Sequence, residues 1–177
     1  MVTVELVYTA HVPSRALVTA RALLDDAFDG DFDDADWTKD PDAPHASQAR
    51  RGTLHRGRAV VQRRVLHGGR ALRTGYVEAV AVAAAHRRRG VASAVVAGLE
   101  EVVRGAYDLG ALGATDDGAA LYAARGWQRW RGPTSVLGPA GTVRTPDDDG
   151  AVLVLPGAVP LDLDGSLTCD WRDGEVW

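Results

Sequence analysis

The segment with the clearest chemical potential is Glu78-Ala79-Val80-Ala81-Val82, followed by His86-Arg87-Arg88-Arg89-Gly90-Val91-Ala92-Ser93. An apolar strand pattern runs into a tight basic turn, and a helical pattern follows. The first N–H groups of a helix have no upstream carbonyl and carry partial positive charge, so they make an anion site. Gly90 and Ala92 keep the backbone bare enough for a diphosphate to approach, and Arg88 or Arg89 can add side-chain charge. The plainer alternative is a basic turn with no ligand.

Charge along the chain is blocked rather than mixed. Residues 25–42 hold nine aspartates against Lys39, and residues 43–89 hold eleven arginines against one acid, Glu78. Acids return late, among them Asp147, Asp148, Asp149, Asp170, Asp173 and Glu175. Blocks of one sign steer ligands of the other, so the middle suits an anion and the two ends suit a cation. On charge alone, solvated faces without a partner remain the alternative.

These residues need a frame. Period-two alternation predicts a strand over residues 2–8. A helix should open at Pro13-Ser14 with Ser14 as its cap and Leu17, Ala20, Leu23, Leu24 and Ala27 on one face. Residues 29–37 read as an acidic loop or short helix. Residues 47–55 support a strand only weakly, being poor in β-branched residues. Strands are expected over 58–67 and 72–82 around the turn His67-Gly68-Gly69-Arg70. A helix over 90–104 carries Val91, Ala94, Val95, Gly98, Leu99 and Val102 in one stripe. A short strand over 107–112, a helix over 116–125 closed by Gly126, a strand starting at Trp127 and a buried strand over 151–155 complete the pattern. The alternation predicts one α/β domain over residues 1–177, with a mixed, mostly antiparallel sheet flanked by helices.

With 46% apolar and 25% charged residues, the chain has the balance of a globular domain, and its 177 residues suffice for a sizeable core. No apolar run is long enough for a membrane helix, and Met1-Val2-Thr3-Val4-Glu5-Leu6 does not read as a signal peptide. Cys169 stands alone, so it cannot form an internal disulfide and is expected to be a small buried hydrophobe. A cytoplasmic protein is the simplest expectation. The histidines show no metal spacing, and no metal is expected.

Arg87-x-x-Gly90-x-Ala92 resembles the coenzyme A pyrophosphate loop of the GNAT superfamily. Leu121-Tyr122-Ala123-Ala124-Arg125-Gly126-Trp127 resembles its Leu-Tyr-x-x-x-Gly-Phe/Trp signature. A narrower likeness is to the aminoglycoside 2'-N-acetyltransferases of mycobacteria and their relatives. It is carried by Gly75-Tyr76-Val77-Glu78-Ala79-Val80-Ala81-Val82, Arg104 to Leu112, Gly132-Pro133-Thr134-Ser135-Val136-Leu137, Arg144-Thr145-Pro146-Asp147-Asp148-Asp149-Gly150 and Cys169-Asp170-Trp171-Arg172. Ala79 departs from that family, which usually has Gly there, and Gly113-Ala114-Thr115-Asp116-Asp117 replaces a Ser-rich segment.

The resemblance implies a GNAT fold and acetyl transfer from acetyl-coenzyme A to the 2'-amine of an aminoglycoside, by direct attack. It implies cofactor contacts from Val80, Ala81, Val82, Arg87, Arg88, Arg89, Gly90, Val91, Ala92 and Ser93, with the backbone N–H of Val80 or Val82 on the acetyl carbonyl. It makes Glu78 the general base, working through a water, and Tyr122 the acid facing the thioester sulfur. Burial of Glu78 would raise its pKa usefully; a Glu paired with an arginine is its bland reading. Acceptor contacts are implied for Asp31, Asp36, Glu78, Ala79, Asp148, Glu175 and the terminal carboxylate of Trp177. A homodimer is implied by the superfamily. Two other readings stand beside this one: acetylation of another polyamine, sugar amine or cell-wall amine, and a non-catalytic acyl-coenzyme A sensor. The arginine block suggests nucleic acid, but no recognised module accompanies it, and neither a nucleic-acid nor a membrane partner is expected.

Overall fold

The computed structural model describes residues 3–7, 11–27, 46–50 and 60–177. In chain order these form β1 (Thr3–Val7), α1 (Ser14–Ala27), β2 (Ala46–Arg50), β3 (Val61–His67), β4 (Arg70–Tyr76), a 3-10 turn (Ala84–His86) and α2 (Val91–Ala106). Then follow β5 (Leu109–Gly113), α3 (Asp116–Ala123), β6 (Gln128–Arg129), β7 (Thr134–Gly138), β8 (Gly141–Arg144), a 3-10 turn (Pro146–Asp148), β9 (Val152–Pro156) and β10 (Leu167–Asp170). The elements gather into two compact units, Met1–Val61 with Val77–Val102, and Gln62–Tyr76 with Val103–Trp177.

In the first unit β1 and β2 pair antiparallel, from Thr3 opposite Arg50 to Val7 opposite Ala46. Helix α1 buries Ala20 and Leu24 from the predicted apolar face. Its start differs from the sequence expectation. The Pro13 carbonyl takes the N–H groups of Ala16 and Leu17 at 2.8 and 3.2 Å, so Pro13 holds the cap position and Ser14 is the first helical residue. Helix α2 buries Val91, Val95, Val96 and Leu99, and Val96 widens the predicted stripe. Each such burial stabilises by roughly 1.5–3 kcal/mol.

The second unit contains the main sheet, ordered β6-β9-β5-β4-β3-β10-β7-β8 among the described residues. β4–β5 and β10–β7 are parallel; β10–β3, β5–β9, β6–β9 and β7–β8 are antiparallel. Along β3 the pattern is strict: Val61, Arg63 and Val65 are buried, Gln62 and Arg64 exposed. Gly68 and Gly69, with φ of 55° and 75°, supply the two positive φ values that a tight hairpin turn requires. Val65, Leu72, Tyr76, Leu109, Trp130, Val154, Leu167 and Trp177 belong to one buried cluster. Cys169 is in it too, with its thiol pushed up to about 11, chiefly by burial, as befits an inert core cysteine. No helix among the described residues is long and apolar enough to cross a membrane.

The strand expected over 72–82 ends at Tyr76. Parallel pairing with β5 stops at Tyr76 opposite Ala111, and Ala79 has φ +49°, a left-handed conformation that no strand contains. Residues 77–83 therefore form a turning segment. Ala79 is where the resembled family has Gly, and a Cβ in that conformation costs about 1–2 kcal/mol. Glycine also loosens the unfolded chain by about 0.4–1 kcal/mol. Ala79→Gly is accordingly expected to raise stability by up to about 1 kcal/mol, seen as a higher urea midpoint at unchanged slope.

Candidate active site

In the first unit the segment after β4 leads into the candidate anion site. Glu78, Val80, Ala81 and Val82 are all partly exposed and lie outside any strand, contrary to the sequence expectation. The Ala83 carbonyl accepts from His86 N–H at 2.8 Å, and the Ala84 carbonyl from Arg87 N–H at 3.3 Å, closing the 3-10 turn. Arg87 Nε donates to the Val82 carbonyl at 3.1 Å, so Arg87 braces the loop. Arg88 and Gly90 both have positive φ, 57° and 76°, which turns the backbone into the helix start. The Gly90 carbonyl accepts from Ala94 N–H at 3.0 Å, making Gly90 the cap of α2. The N–H groups of Val91, Ala92 and Ser93 thus fall in the first turn, where no upstream helical carbonyl is available. A Cβ built on Gly90 would meet nothing within 4 Å, and Arg88 and Arg89 are exposed beside it. Open space, a helix N-terminus and two exposed guanidinium groups fit a diphosphate.

In the second unit Tyr122 lies near the end of α3, only 8% exposed. Its ring meets Trp127 edge-on at 5.5 Å between centroids. Burial pushes its hydroxyl up to about 12, so at neutral pH it keeps its proton. Arg125 and Trp127 N–H groups both bond the Tyr122 carbonyl, at 2.9 and 3.1 Å, and Gly126 at φ +90° makes that reversal possible.

The same unit brings the late acids together. Asp148 ends a 3-10 turn and its carboxyl is raised, first by burial and then by the charges of Glu175, Asp147 and Asp149, against a hydrogen bond from Thr145. Glu175, 27 residues on, is therefore within electrostatic reach of Asp148. Trp177 is 7% exposed and its indole Nε1–H donates to Thr145 Oγ1 at 3.2 Å. Its main-chain end lies over Gly113: a Cβ there would be 3.4 Å from the Trp177 carbonyl carbon and 3.5 Å from the Tyr76 hydroxyl. Asp149 takes another path. The Arg144 guanidinium, and the N–H and hydroxyl of Thr134, hold its carboxyl well below the usual range, so it ties β7 to the turn.

Residues 22–127 match the Acetyltransferase (GNAT) family. The chain belongs to the GNAT acetyltransferase family. It is 49% identical over 179 residues to the aminoglycoside 2'-N-acetyltransferase of Mycolicibacterium fortuitum, spanning 99% of this chain and 92% of that protein. Among solved structures it is similar to a GCN5-related N-acetyltransferase from Kribbella flavida (TM-score 0.58, 20% identity), covering 75% of this chain and 34% of that one. It is also similar to Escherichia coli ElaA (TM-score 0.57, 14% identity), covering 88% of this chain and 99% of that one. At these identities the two structures speak for the fold alone, and it is the GNAT fold expected from the sequence.

Of the residues that the sequence singles out in this acetyltransferase, Glu78 and residues 80–93 lie in the first unit, and Tyr122, Asp148, Glu175 and Trp177 in the second. Asp31 and Asp36 lie outside the described residues. Sequence reasoning missed the brace beneath the C-terminal segment. Arg63, 4% exposed, donates through Nε to Asp170 Oδ1 at 2.8 Å, through Nη2 to the Asp170 carbonyl at 2.6 Å and through Nη1 to the Val176 carbonyl at 2.6 Å. Arg172 Nε donates to the Glu175 carbonyl at 2.6 Å. Both guanidinium groups lie against the Tyr76 ring, at 4.9 and 5.3 Å from its centroid. A signal was present: Arg63 occupies an inward position between Val61 and Val65, and an inward arginine needs acceptors. Among the described residues no group of three or more His, Cys, Asp or Glu is placed to hold a metal ion.

Proposed function

We propose that this acetyltransferase moves an acetyl group from acetyl-coenzyme A to the 2'-amine of an aminoglycoside. The observation that supports the reading is that Glu175 acts electrostatically on Asp148, while the Trp177 indole bonds Thr145, three residues before Asp148. An aminoglycoside is a rigid polycation, and convergent carboxylates are the chemistry that holds one. The identity to the Mycolicibacterium fortuitum enzyme, almost end to end, supports the same acceptor. On this reading Asp31, Asp36, Ala79, Asp148, Glu175 and Trp177 contact the acceptor, and residues 1–177 act as one acetyltransferase domain.

Acetyl-coenzyme A supplies the activated acetyl group. The loop from Arg87 to Ser93 holds its diphosphate, and the N–H of Val80 or Val82 polarises the acetyl carbonyl. Glu78 takes the amine proton through a water, leaving a lone pair free to attack. Tyr122 delivers its proton to the departing sulfur; a hydroxyl with a pKa of about 12 does not lose that proton to solvent beforehand. No covalent enzyme intermediate is needed. The same reading makes the enzyme a cytoplasmic homodimer, with neither nucleic acid nor membrane as partner.

The test is thiol release from acetyl-coenzyme A with aminoglycosides that bear either an amine or a hydroxyl at the 2' position. Turnover is expected only with the 2'-amino compounds. Equal turnover of both would remove the 2' assignment, and turnover confined to other amines would remove the acceptor class.

A further inference from the structure

The loop that carries Asp148 and the segment that ends in Trp177 meet at one hydroxyl. Thr145 Oγ1 accepts the Trp177 Nε1–H at 3.2 Å and donates to Thr134 Oγ1 at 3.0 Å, and the Asp148 carboxyl has a hydrogen bond from the same side chain. A hydroxyl has one proton and two lone pairs. With the indole on a lone pair, the proton goes either to Thr134 or to Asp148. An ionised carboxylate is the stronger acceptor, so it draws that proton when Asp148 is charged. Thr134 does not depend on it: its own hydroxyl has the Thr145 carbonyl and Asp149 Oδ1 as acceptors, both at 2.9 Å.

The group is anchored from below. Thr145 N–H donates to the Thr134 carbonyl at 3.1 Å, Arg144 Nη1 donates to that carbonyl as well, and Arg144 Nη2 reaches Asp149 Oδ2 at 2.7 Å. Thr145 cannot drift without breaking these bonds, and Asp148 is tied to it, its N–H donating to the Thr145 carbonyl at 3.0 Å.

We propose that Thr145 is a positioning residue of the acceptor site, its hydroxyl orienting the Asp148 carboxylate and, through the indole, the main-chain end of Trp177 toward one polycationic acceptor. The inference rests on the proposed function. The charged groups acting on Asp148 are Glu175, Asp147 and Asp149, while Arg144 is paired with Asp149. Burial and the three acids raise the Asp148 carboxyl, and the Thr145 hydroxyl opposes them, so removing the hydroxyl raises it further.

Thr145→Val keeps the shape and removes the hydroxyl; Thr145→Ser restores it. In the full chain, the Val variant is expected to raise KM for a 2'-amino aminoglycoside by roughly tenfold or more, the scale of a lost hydrogen bond to a charged group, with kcat and KM for acetyl-coenzyme A unchanged. Aminoglycoside KM rises as pH falls and Asp148 is protonated, so in the Val variant this rise begins at higher pH. The Ser variant should return both readouts toward wild type. If the Val variant does not fold, Trp177→Phe, which deletes only the indole N–H donor, is expected to raise acceptor KM in the same selective way. Wild-type acceptor KM in a folded Val or Phe variant, or an equal loss for both substrates, overturns the inference and leaves the proposed function standing. A wild type with no aminoglycoside turnover removes the proposed function and the inference with it.

Discussion

Replacing Glu78 with Gln is expected to lower kcat by about 10²–10⁴-fold while acetyl-coenzyme A binds as before. The amide matches the carboxylate in shape and takes away its ability to accept a proton. Glu78 lies two residues past β4, partly exposed, on the turning segment that leads to the Arg87–Gly90 loop. The measurement is thiol release at saturating concentrations of both substrates, beside calorimetric binding of acetyl-coenzyme A. Raising the pH should recover part of the lost rate, because the fraction of acceptor already carrying a free amine grows. A variant that loses acetyl-coenzyme A affinity as well would show that Glu78 shapes the loop, and the base would have to be sought elsewhere.

The largest expected effect on stability is at Gly132. A Cβ there would lie 1.9 Å from the Gly165 carbonyl oxygen and 2.6 Å from that of Asp164, both backbone atoms with nowhere to swing. The two segments are fastened on each side of the contact. Arg131 and Gly132 N–H groups both donate to the Leu163 carbonyl at 2.9 Å, Trp130 Nε1–H donates to the Gly165 carbonyl at 3.0 Å, and Arg131 pairs with Asp164 at 2.6 Å. Gly132→Ala is expected to destabilise by about 4–5 kcal/mol, beyond the usual range for a point substitution, because relief requires moving main chain. Thermal and urea unfolding check it, with Gly105→Ala as the control. Gly105 is in α2, a Cβ there would meet nothing within 4 Å, and helical Ala should gain about 0.5–1 kcal/mol over Gly.

Much of the frame was legible because local pattern and tertiary role agree. The alternation of β3 shows as its burial, the glycine pair at 68–69 makes the turn, and Val91, Val95 and Leu99 of the α2 stripe are buried. Ala94, Gly98 and Val102 of that stripe are only partly so, and the buried face runs instead through Val96, Glu100 and Val103. The departures come where a distant partner decides. Residues 77–82 look like strand because they are apolar, yet β5 offers pairing only as far as Tyr76. Strand β10 has four residues, too few for a periodic signal, and exists because β3 and β7 bracket it. In the candidate site, the basic turn and helix start over 87–93 could be read because they lie in contiguous residues. The nearness of Asp148 to Glu175 could not, since no spacing rule joins residues 27 apart. Nor could the sequence show that, of two adjacent acids, Asp149 is spent on Arg144 and Thr134 while the Asp148 carboxyl is raised by burial and has a hydrogen bond from Thr145.

The place of β10 has a consequence for how the protein is made. Its register sets Leu167 opposite His67 and Cys169 opposite Val65, about a hundred residues back, and on its other side Leu167 opposite Thr134. A strand made after both of its neighbours thus fills the gap between β3, about a hundred residues back, and β7, about thirty back. Until it arrives, β3 and β7 each present an open edge to any neighbouring chain. Closing so long a loop favours slow folding, and the sheet completes only after β10 has left the ribosome. The nascent protein therefore passes through a window in which its exposure to aggregation is set by translation speed and chaperone supply rather than by the stability of the finished fold.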